Sequence, residues 1–183
     1  MAPAPRLISI DEYFETEETV KPQELIYGVL RVADAPTPQH QAAVFDIGFA
    51  LQLHLRDHPV GQLWPSPVDV VLDRRRDLVV QPDLVLVSAL RSSIVKDRIW
   101  GAPDLALEVL SPRPRIGDLD ERVGWFARYG VRECWVLHQK ERRLEVIEFA
   151  NRAISARNAF AQDDPIRSRV LPDFRESLRN VLR

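Results

Sequence analysis

Two carboxylates interrupt the longest apolar runs of the sequence. Asp83 lies in VVQPDLVLV and Glu108 lies in PDLALEVLSP. Burying an ionised carboxylate costs several kcal/mol unless a cation or hydrogen bonds compensate. If the two segments are paired strands, both side chains can converge on one hard cation such as Mg²⁺, which prefers oxygen ligands. Such a cation could polarise a phosphodiester and activate a water for in-line attack.

A structural role stays open for each of these acids. Either one could cap a loop at the end of a strand or pair with an arginine, and for a single acid this interpretation is as good as a metal ligand. The presence of two such acids, each in a strand-like run, favours the metal site.

Other polar residues are weaker candidates. His40 stands at the start of a predicted helix, where it could shuttle a proton or contact a phosphate. A local hydrogen bond at the helix start is the simpler interpretation of His40. Several arginines are candidates for phosphate contacts, although exposed loop charge explains such runs more often. These arginines are Arg74, Arg75, Arg76, Arg113 and Arg115.

Of three further acids near these motifs, Asp104 and Asp118 favour structural roles, as does the single cysteine. Asp69 lies near the same motifs, Asp104 enters a predicted strand, and Asp118 precedes a predicted helix in the manner of a helix cap. Cys134 cannot by itself form an internal disulfide or a zinc cluster. Its apolar surroundings, ECWVL, favour a small buried hydrophobic residue. The four tryptophans are expected in the core or an interface.

The first half of the chain predicts two helices and a hairpin. Ser9, with Glu12 three residues later, has the spacing of a capping box and predicts a short helix. The segment 24–32, ELIYGVLRV, predicts a hairpin or a bulged strand. From His40 to Leu55, apolar residues recur every three or four positions, which predicts a helix with one buried face.

The middle of the chain predicts the centre of the fold. Short strands are expected at 61–64 and 67–72, followed by an exposed turn, DRRRD. The segments 79–87 and 105–110 are nearly continuous valine and leucine runs, which are typical of central strands covered on both faces.

The last third predicts one clear helix and several strands. The helix spans residues 118–129 and ends at Gly130. Strands are expected at 133–137 and 144–149, joined by the polar turn HQKERR. Weaker signals predict strands at Ile154 and at 166–170, and a terminal helix from Pro172 or Asp173.

Length and composition favour one domain, residues 1–183. A chain of 183 residues with 45% hydrophobic residues can bury one sizeable core. Strands flanked by helices imply a mixed α/β sandwich. The formal net charge of −2 gives no general attraction for nucleic acid, so any DNA contact needs a local basic patch. The apolar runs are too short to cross a membrane, and the first residues do not resemble a secretory signal, which predicts a cytoplasmic protein.

Taken in order, the motifs resemble the Uma-two family of putative restriction endonucleases, within the PD-(D/E)XK nuclease superfamily. The matching pieces are ELIYG, a histidine opening the long helix, QPDLVLV, LALEVLSP, DLDERVGWFARYGV, ECWVL and SRVLPDF. They extend over nearly the whole chain.

The resemblance implies a restriction endonuclease-like α/β fold, with a central mixed β-sheet flanked by helices. It also implies a homodimer that cleaves DNA with Mg²⁺, for which Mn²⁺ could substitute. Asp83 and Glu108 would be the acidic metal ligands, and Glu24 would be an auxiliary acid.

The sequence departs from the family pattern at the position of a catalytic lysine. The usual place, two residues after the second acid, is Leu110, and the place on the following helix is Arg122. Arginine holds phosphate charge but differs from lysine in hydrogen-bond geometry. Tyr27 and Val29 also stand where the family tends to have acids.

Three functions therefore stay open. The first is a Mg²⁺-dependent DNA endonuclease. The second is a catalytically inactive nuclease fold that acts as a dimerising or nucleic-acid-binding module. The third is an unrelated metal hydrolase of small phosphate esters.

Overall fold

The computed structural model describes residues 6–16, 21–110 and 118–182. Over these residues the chain forms the following helices and strands: α1 Ile10–Phe14, β1 Gln23–Ile26, β2 Val29–Val32, α2 Pro38–Asp57, β3 Gly61–Pro65, β4 Val70–Asp73, β5 Leu78–Val80, β6 Leu84–Ser88, β7 Ile99–Trp100, β8 Leu105–Leu110, α3 Leu119–Tyr129, β9 Glu133–His138, β10 Arg143–Ala150, β11 Ala153–Phe160 and α4 Leu178–Val181. Two 3-10 turns occupy Arg74–Arg76 and Ala89–Ile94.

Local capping fixes the ends of the helices that flank the site. Ser9 and Glu12 form the expected capping box at the start of α1. The Thr37 hydroxyl caps α2 by accepting from the backbone N–H of His40 at 3.2 Å. Asp118 caps α3 in the same way. Helix α3 ends as predicted at Gly130, which has a φ of 94°.

The strands form two mixed sheets. The first sheet has the order β2-β1-β5-β4-β7, and the second has the order β11-β10-β9-β8-β6-β3. Strand β8 is central in the second sheet, where it pairs antiparallel with β6 and parallel with β9. The pairing of β6 with β8 is the one that the two valine and leucine runs predict.

Alternating side chains divide the second sheet between two hydrophobic layers. Leu84 and Leu86 of β6 pack, with Leu105 and Leu107 of β8, in the layer that contains α2. The intervening residues of both strands, such as Val85 and Ala106, pack in the layer that contains the first sheet and α3. Successive residues along each strand therefore point into opposite layers.

The outer face of α2 is apolar in part. Phe45, Phe49 and Leu53, spaced by one helical turn, are all exposed, and the rings of Phe45 and Phe49 are stacked with centroids 6.3 Å apart. Of the helices in the described ranges, none combines the length and hydropathy that a membrane-spanning segment requires.

Three predictions of strands and helices are wrong in detail. The run 79–87, predicted as one strand, is divided between β5 and β6, which belong to different sheets. The division falls at Gln81–Asp83, where Pro82 has no N–H for a sheet hydrogen bond. No strand forms at 166–170, and the terminal helix is only α4. The predicted α/β fold with a central mixed sheet flanked by helices is confirmed, and a second mixed sheet accompanies it.

Candidate active site

Asp83 and Glu108 meet at the edge where β6 begins. In the pairing of β6 with β8, Leu84 lies opposite Leu107, and the same register continued by one residue places Asp83 opposite Glu108. The backbone N–H of Val109 donates to Oδ2 of Asp83 at 2.7 Å. The two acids are thus adjacent, as the prediction of paired strands requires.

Arg122 of α3 joins Glu108 to a third acid. Its Nε donates to Oε1 of Glu108 at 2.6 Å. Its Nη1 lies 2.8 Å from Oε1 of Glu24 and donates to Oε2 of Glu24 at 2.9 Å. The sequence assigned these three residues to one site, and the structure brings them together. Their contacts with one another are ion pairs, and for Glu108 a pair with an arginine is the structural alternative to a metal ligand.

The pairing with Arg122 compensates an otherwise costly burial of charge. The Glu24 side chain is fully buried, and the side chain of Arg122 is only 6% exposed. Glu24 also accepts from the backbone N–H of Gln81 at 2.6 Å. An isolated buried carboxylate would cost several kcal/mol, so this cluster is stable only as a unit.

Burial and charge act on Glu108 in opposite directions. Burial raises the pKa of Glu108 to about 8, Arg122 opposes this rise, and the negative charge of Asp83 adds to it. Burial lowers the pKa of Arg122, but the charges of Glu108 and Glu24 outweigh burial and raise that pKa above its ordinary value. Glu108 therefore holds its proton to a higher pH than an ordinary glutamate does.

His40 contacts the site from the side of α2. Its Nε2 lies 3.3 Å from Oδ2 of Asp83. Within the described part of the chain, its buried Nδ1 has no hydrogen-bond partner. The local hydrogen bond at the helix start uses the backbone N–H of His40, so the imidazole is left free to face Asp83.

Two of the arginines that are candidates for phosphate contacts have partners within the chain. Arg74 pairs with Asp11 at 3.1 Å, and the guanidinium of Arg76 lies over the Tyr27 ring at 4.9 Å. Arg74 and Arg76 thus have partners within the chain, which favours the interpretation as loop charge. Arg113 and Arg115 lie outside the described residues.

Two structural acids match their predicted roles. Asp104 is buried and accepts from the backbone N–H of Ser88 at 2.7 Å, while Asp118 caps α3. Asp69 accepts from the Tyr13 hydroxyl at 3.0 Å and from the Gln81 side chain at 2.9 Å.

Sequence reasoning missed the part that Gln81 plays. Gln81 donates from its backbone N–H to Glu24 and from its side chain to Asp69, and so links the two acids. Its position two residues before Asp83 is the feature of the sequence that could have indicated this role.

The donor set at Asp83 and Glu108 fits Mg²⁺. These acids offer carboxylate oxygens, and Mg²⁺ in proteins is commonly held by one or two carboxylates while it retains several waters. Among the hydrogen bonds of the described residues, none reaches Oδ1 of Asp83 or Oε2 of Glu108. The same residues contain no group of three or more His, Cys, Asp or Glu side chains arranged to hold a metal. Arg122 lies between Glu24 and Glu108 and pairs with both, so Glu24 does not join Asp83 and Glu108 as a third ligand.

Comparison with known proteins identifies the family. The family model described as "Putative restriction endonuclease", Uma2, matches residues 10–180. A crystal structure described as a putative nuclease belonging to DUF820, from Anabaena variabilis ATCC 29413, is similar to this chain with a TM-score of 0.79 and 16% identity. The similarity covers 95% of this chain and 97% of that one, which shows a shared fold. No curated protein matches the sequence. The chain belongs to the Uma2 family of putative restriction endonucleases.

Proposed function

We propose that this protein is a cytoplasmic, Mg²⁺-dependent endonuclease that hydrolyses phosphodiester bonds of DNA, acting as a homodimer. One observation supports it above the others: Asp83, which directly precedes β6, lies opposite Glu108 of β8, and their side chains are 20% and 13% exposed. The two carboxylates are thus buried enough that their charges need compensation, yet exposed enough that a cation could reach them. Membership of the Uma2 family supports DNA as the substrate.

Each residue of the site has a chemical part in this proposal. Asp83 and Glu108 would hold Mg²⁺, which when bound polarises a phosphodiester and lowers the pKa of a water. His40, whose Nε2 lies 3.3 Å from Oδ2 of Asp83, would help to orient that carboxylate. Arg122 remains protonated, so it can stabilise phosphate charge but cannot act as a base.

Plasmid nicking tests the proposal directly. Supercoiled DNA incubated with the protein and Mg²⁺ should be nicked, Mn²⁺ should substitute, and a chelator should stop the reaction. Asp83→Asn and Glu108→Gln should each lower the rate about 100-fold or more, since both remove a metal ligand while preserving shape. Asp34→Asn, an exposed acid between β2 and α2, is the matched control and should leave the rate unchanged. Nicking that survives both site substitutions would refute the proposal.

A second function has one specific observation in its favour. Arg122 forms ion pairs with two of the three acids, as it would in a nuclease fold that has lost its metal and retains only DNA binding or dimerisation. In that case the protein would bind a DNA duplex without nicking it, and binding would be unaffected by Asp83→Asn. Fluorescence anisotropy with a labelled duplex, run beside the nicking assay, separates the two functions.

A further inference from the structure

The two acidic partners of Arg122 are unequal. Glu24 is fully buried, receives a second hydrogen bond from the backbone of Gln81, and meets Nη1 through both of its oxygens. Glu108 is partly exposed and is bound to Arg122 through one oxygen only. The bond to Glu24 is therefore the costlier one to break, because breaking it would leave a buried charge unpaired.

The partners also meet different parts of the guanidinium. Glu24 accepts from Nη1, and Glu108 accepts from Nε. Rotation about the Nη1 contact would thus release Nε while the pair with Glu24 is retained. The released Nε–H, together with Nη2, forms a two-donor edge of the kind that binds a phosphate in bidentate fashion.

One divalent cation would neutralise the net charge of the three acids and Arg122. Once Glu108 has lost its proton, as cation binding requires, Glu24, Asp83 and Glu108 carry three negative charges against the one positive charge of Arg122. This leaves two negative charges, which one divalent cation neutralises. That cation and Arg122 would then compete for Glu108, because two positive groups at one carboxylate repel each other.

We propose that Arg122 is an exchangeable counter-ion. A divalent cation that binds Asp83 and Glu108 displaces Nε of Arg122 from Glu108, while Nη1 stays bonded to Glu24 and the freed edge turns to the phosphate of the DNA. This inference rests on the proposed function for its metal site. It adds that the site takes one cation and that metal binding prepares the arginine for the substrate.

Nuclear magnetic resonance on the wild-type protein tests the displacement. The Nε–Hε signal of Arg122 is assigned by its absence in Arg122→Lys. Addition of Mg²⁺ without DNA should move this proton upfield and speed its exchange with water, because its carboxylate acceptor is lost. Calorimetry on the same sample should give one Mg²⁺ per chain and a binding curve that coincides with the shift.

A pair of variants tests the competition. Arg122→Met removes the competitor and should tighten Mg²⁺ binding about tenfold or more. Arg128→Met makes the same substitution at an exposed position of the same helix and should change the affinity less than twofold. The tenfold effect should persist in high salt, because salt screens contacts between buried charges much less than contacts at the surface.

The outcomes distinguish this inference from the proposed function. Mg²⁺ binding with an unmoved Nε–Hε signal, or with two cations per chain, overturns the counter-ion exchange and leaves a metal-dependent nuclease intact. Absence of Mg²⁺ binding overturns both. If Arg122→Met does not fold, the titration of the wild-type protein decides alone.

Discussion

At the residue scale, Arg122 accounts for the burial of two of the three acids of the site, Glu24 and Glu108. Its guanidinium is planar and presents donors on separate edges, so it can bind Glu24 and Glu108 at once. A lysine ammonium at this position would be a single point charge at the end of a flexible stem. Arg122, at a position where the resemblance implies a lysine, therefore changes how the acids are held, as well as which group could face a substrate.

Proton exchange at Glu108 should make metal binding depend on pH. Because burial raises the pKa of Glu108 to about 8, a proton competes with Mg²⁺ for this carboxylate at neutral pH. We expect Mg²⁺ affinity to rise as the pH rises through 8 and to weaken by up to about tenfold for each unit below it. Calorimetry across this range measures the effect.

The stability of the metal-free protein should show the opposite trend. Folded Glu108 holds its proton more tightly than the unfolded chain does, so its contribution to stability falls as the pH rises from 4.5 toward 8. Glu108→Gln, which does not titrate, is the control for both measurements. A Mg²⁺ affinity that is flat with pH in the wild-type protein would contradict the assignment of this pKa.

The residues of the site were predictable, but their contacts were not. The interruption of apolar runs by Asp83 and Glu108 was visible in the sequence, because strand composition and charge conflict there. The bond between Arg122 and Glu24 joins residues 98 positions apart. It depends on the packing of α3 against both sheets, which no local pattern encodes.

At the element scale, Glu133 fixes the end of the chain to the second sheet. This buried acid at the start of β9 accepts from the Ser168 hydroxyl at 2.6 Å and from the backbone N–H of Val170 at 3.1 Å. It also accepts from Arg169 N–H and from the indole of Trp135. The segment 166–182 has little regular structure, so these bonds position it over the core.

Removal of this acid should therefore be costly. Glu133→Ala removes the acceptor of four hydrogen bonds, two of them buried, and we expect a loss of about 3 kcal/mol or more in the free energy of unfolding. Glu141→Ala, in the exposed turn after β9, should change it by less than about 0.5 kcal/mol. Urea denaturation measures both. Equal effects of the two substitutions would show that Glu133 does not anchor the segment.

The prediction of elements succeeded where periodicity or capping was strong. Helix α2, the N-cap at Asp118 and the stop at Gly130 follow from local chemistry and are confirmed. Valine and leucine composition could not show that the run 79–87 changes sheet, because both halves are equally apolar. The C-terminal segment was not predictable, since the carboxylate that holds it lies more than thirty residues away.

At the scale of the whole molecule, the distribution of charge predicts that the proposed binding of DNA depends on Mg²⁺. A net charge of −2 and acids at the site give no general attraction for phosphate. We expect affinity for a short duplex to be about tenfold higher or more with Mg²⁺ than with a chelator, because the cation cancels the local repulsion. Fluorescence anisotropy at fixed ionic strength measures this, and Glu108→Gln should abolish the difference. Equal affinity with and without Mg²⁺ would indicate a basic surface remote from the site.

The burial of Cys134 has a practical consequence. This residue is the chain's single cysteine and is inaccessible, and burial raises the pKa of its thiol, which disfavours the reactive thiolate. A cysteine introduced at an exposed position, such as 128 on α3, would then be the sole reactive handle. A spin label or fluorophore attached there could report on movement of α3 without any need to remove the native thiol.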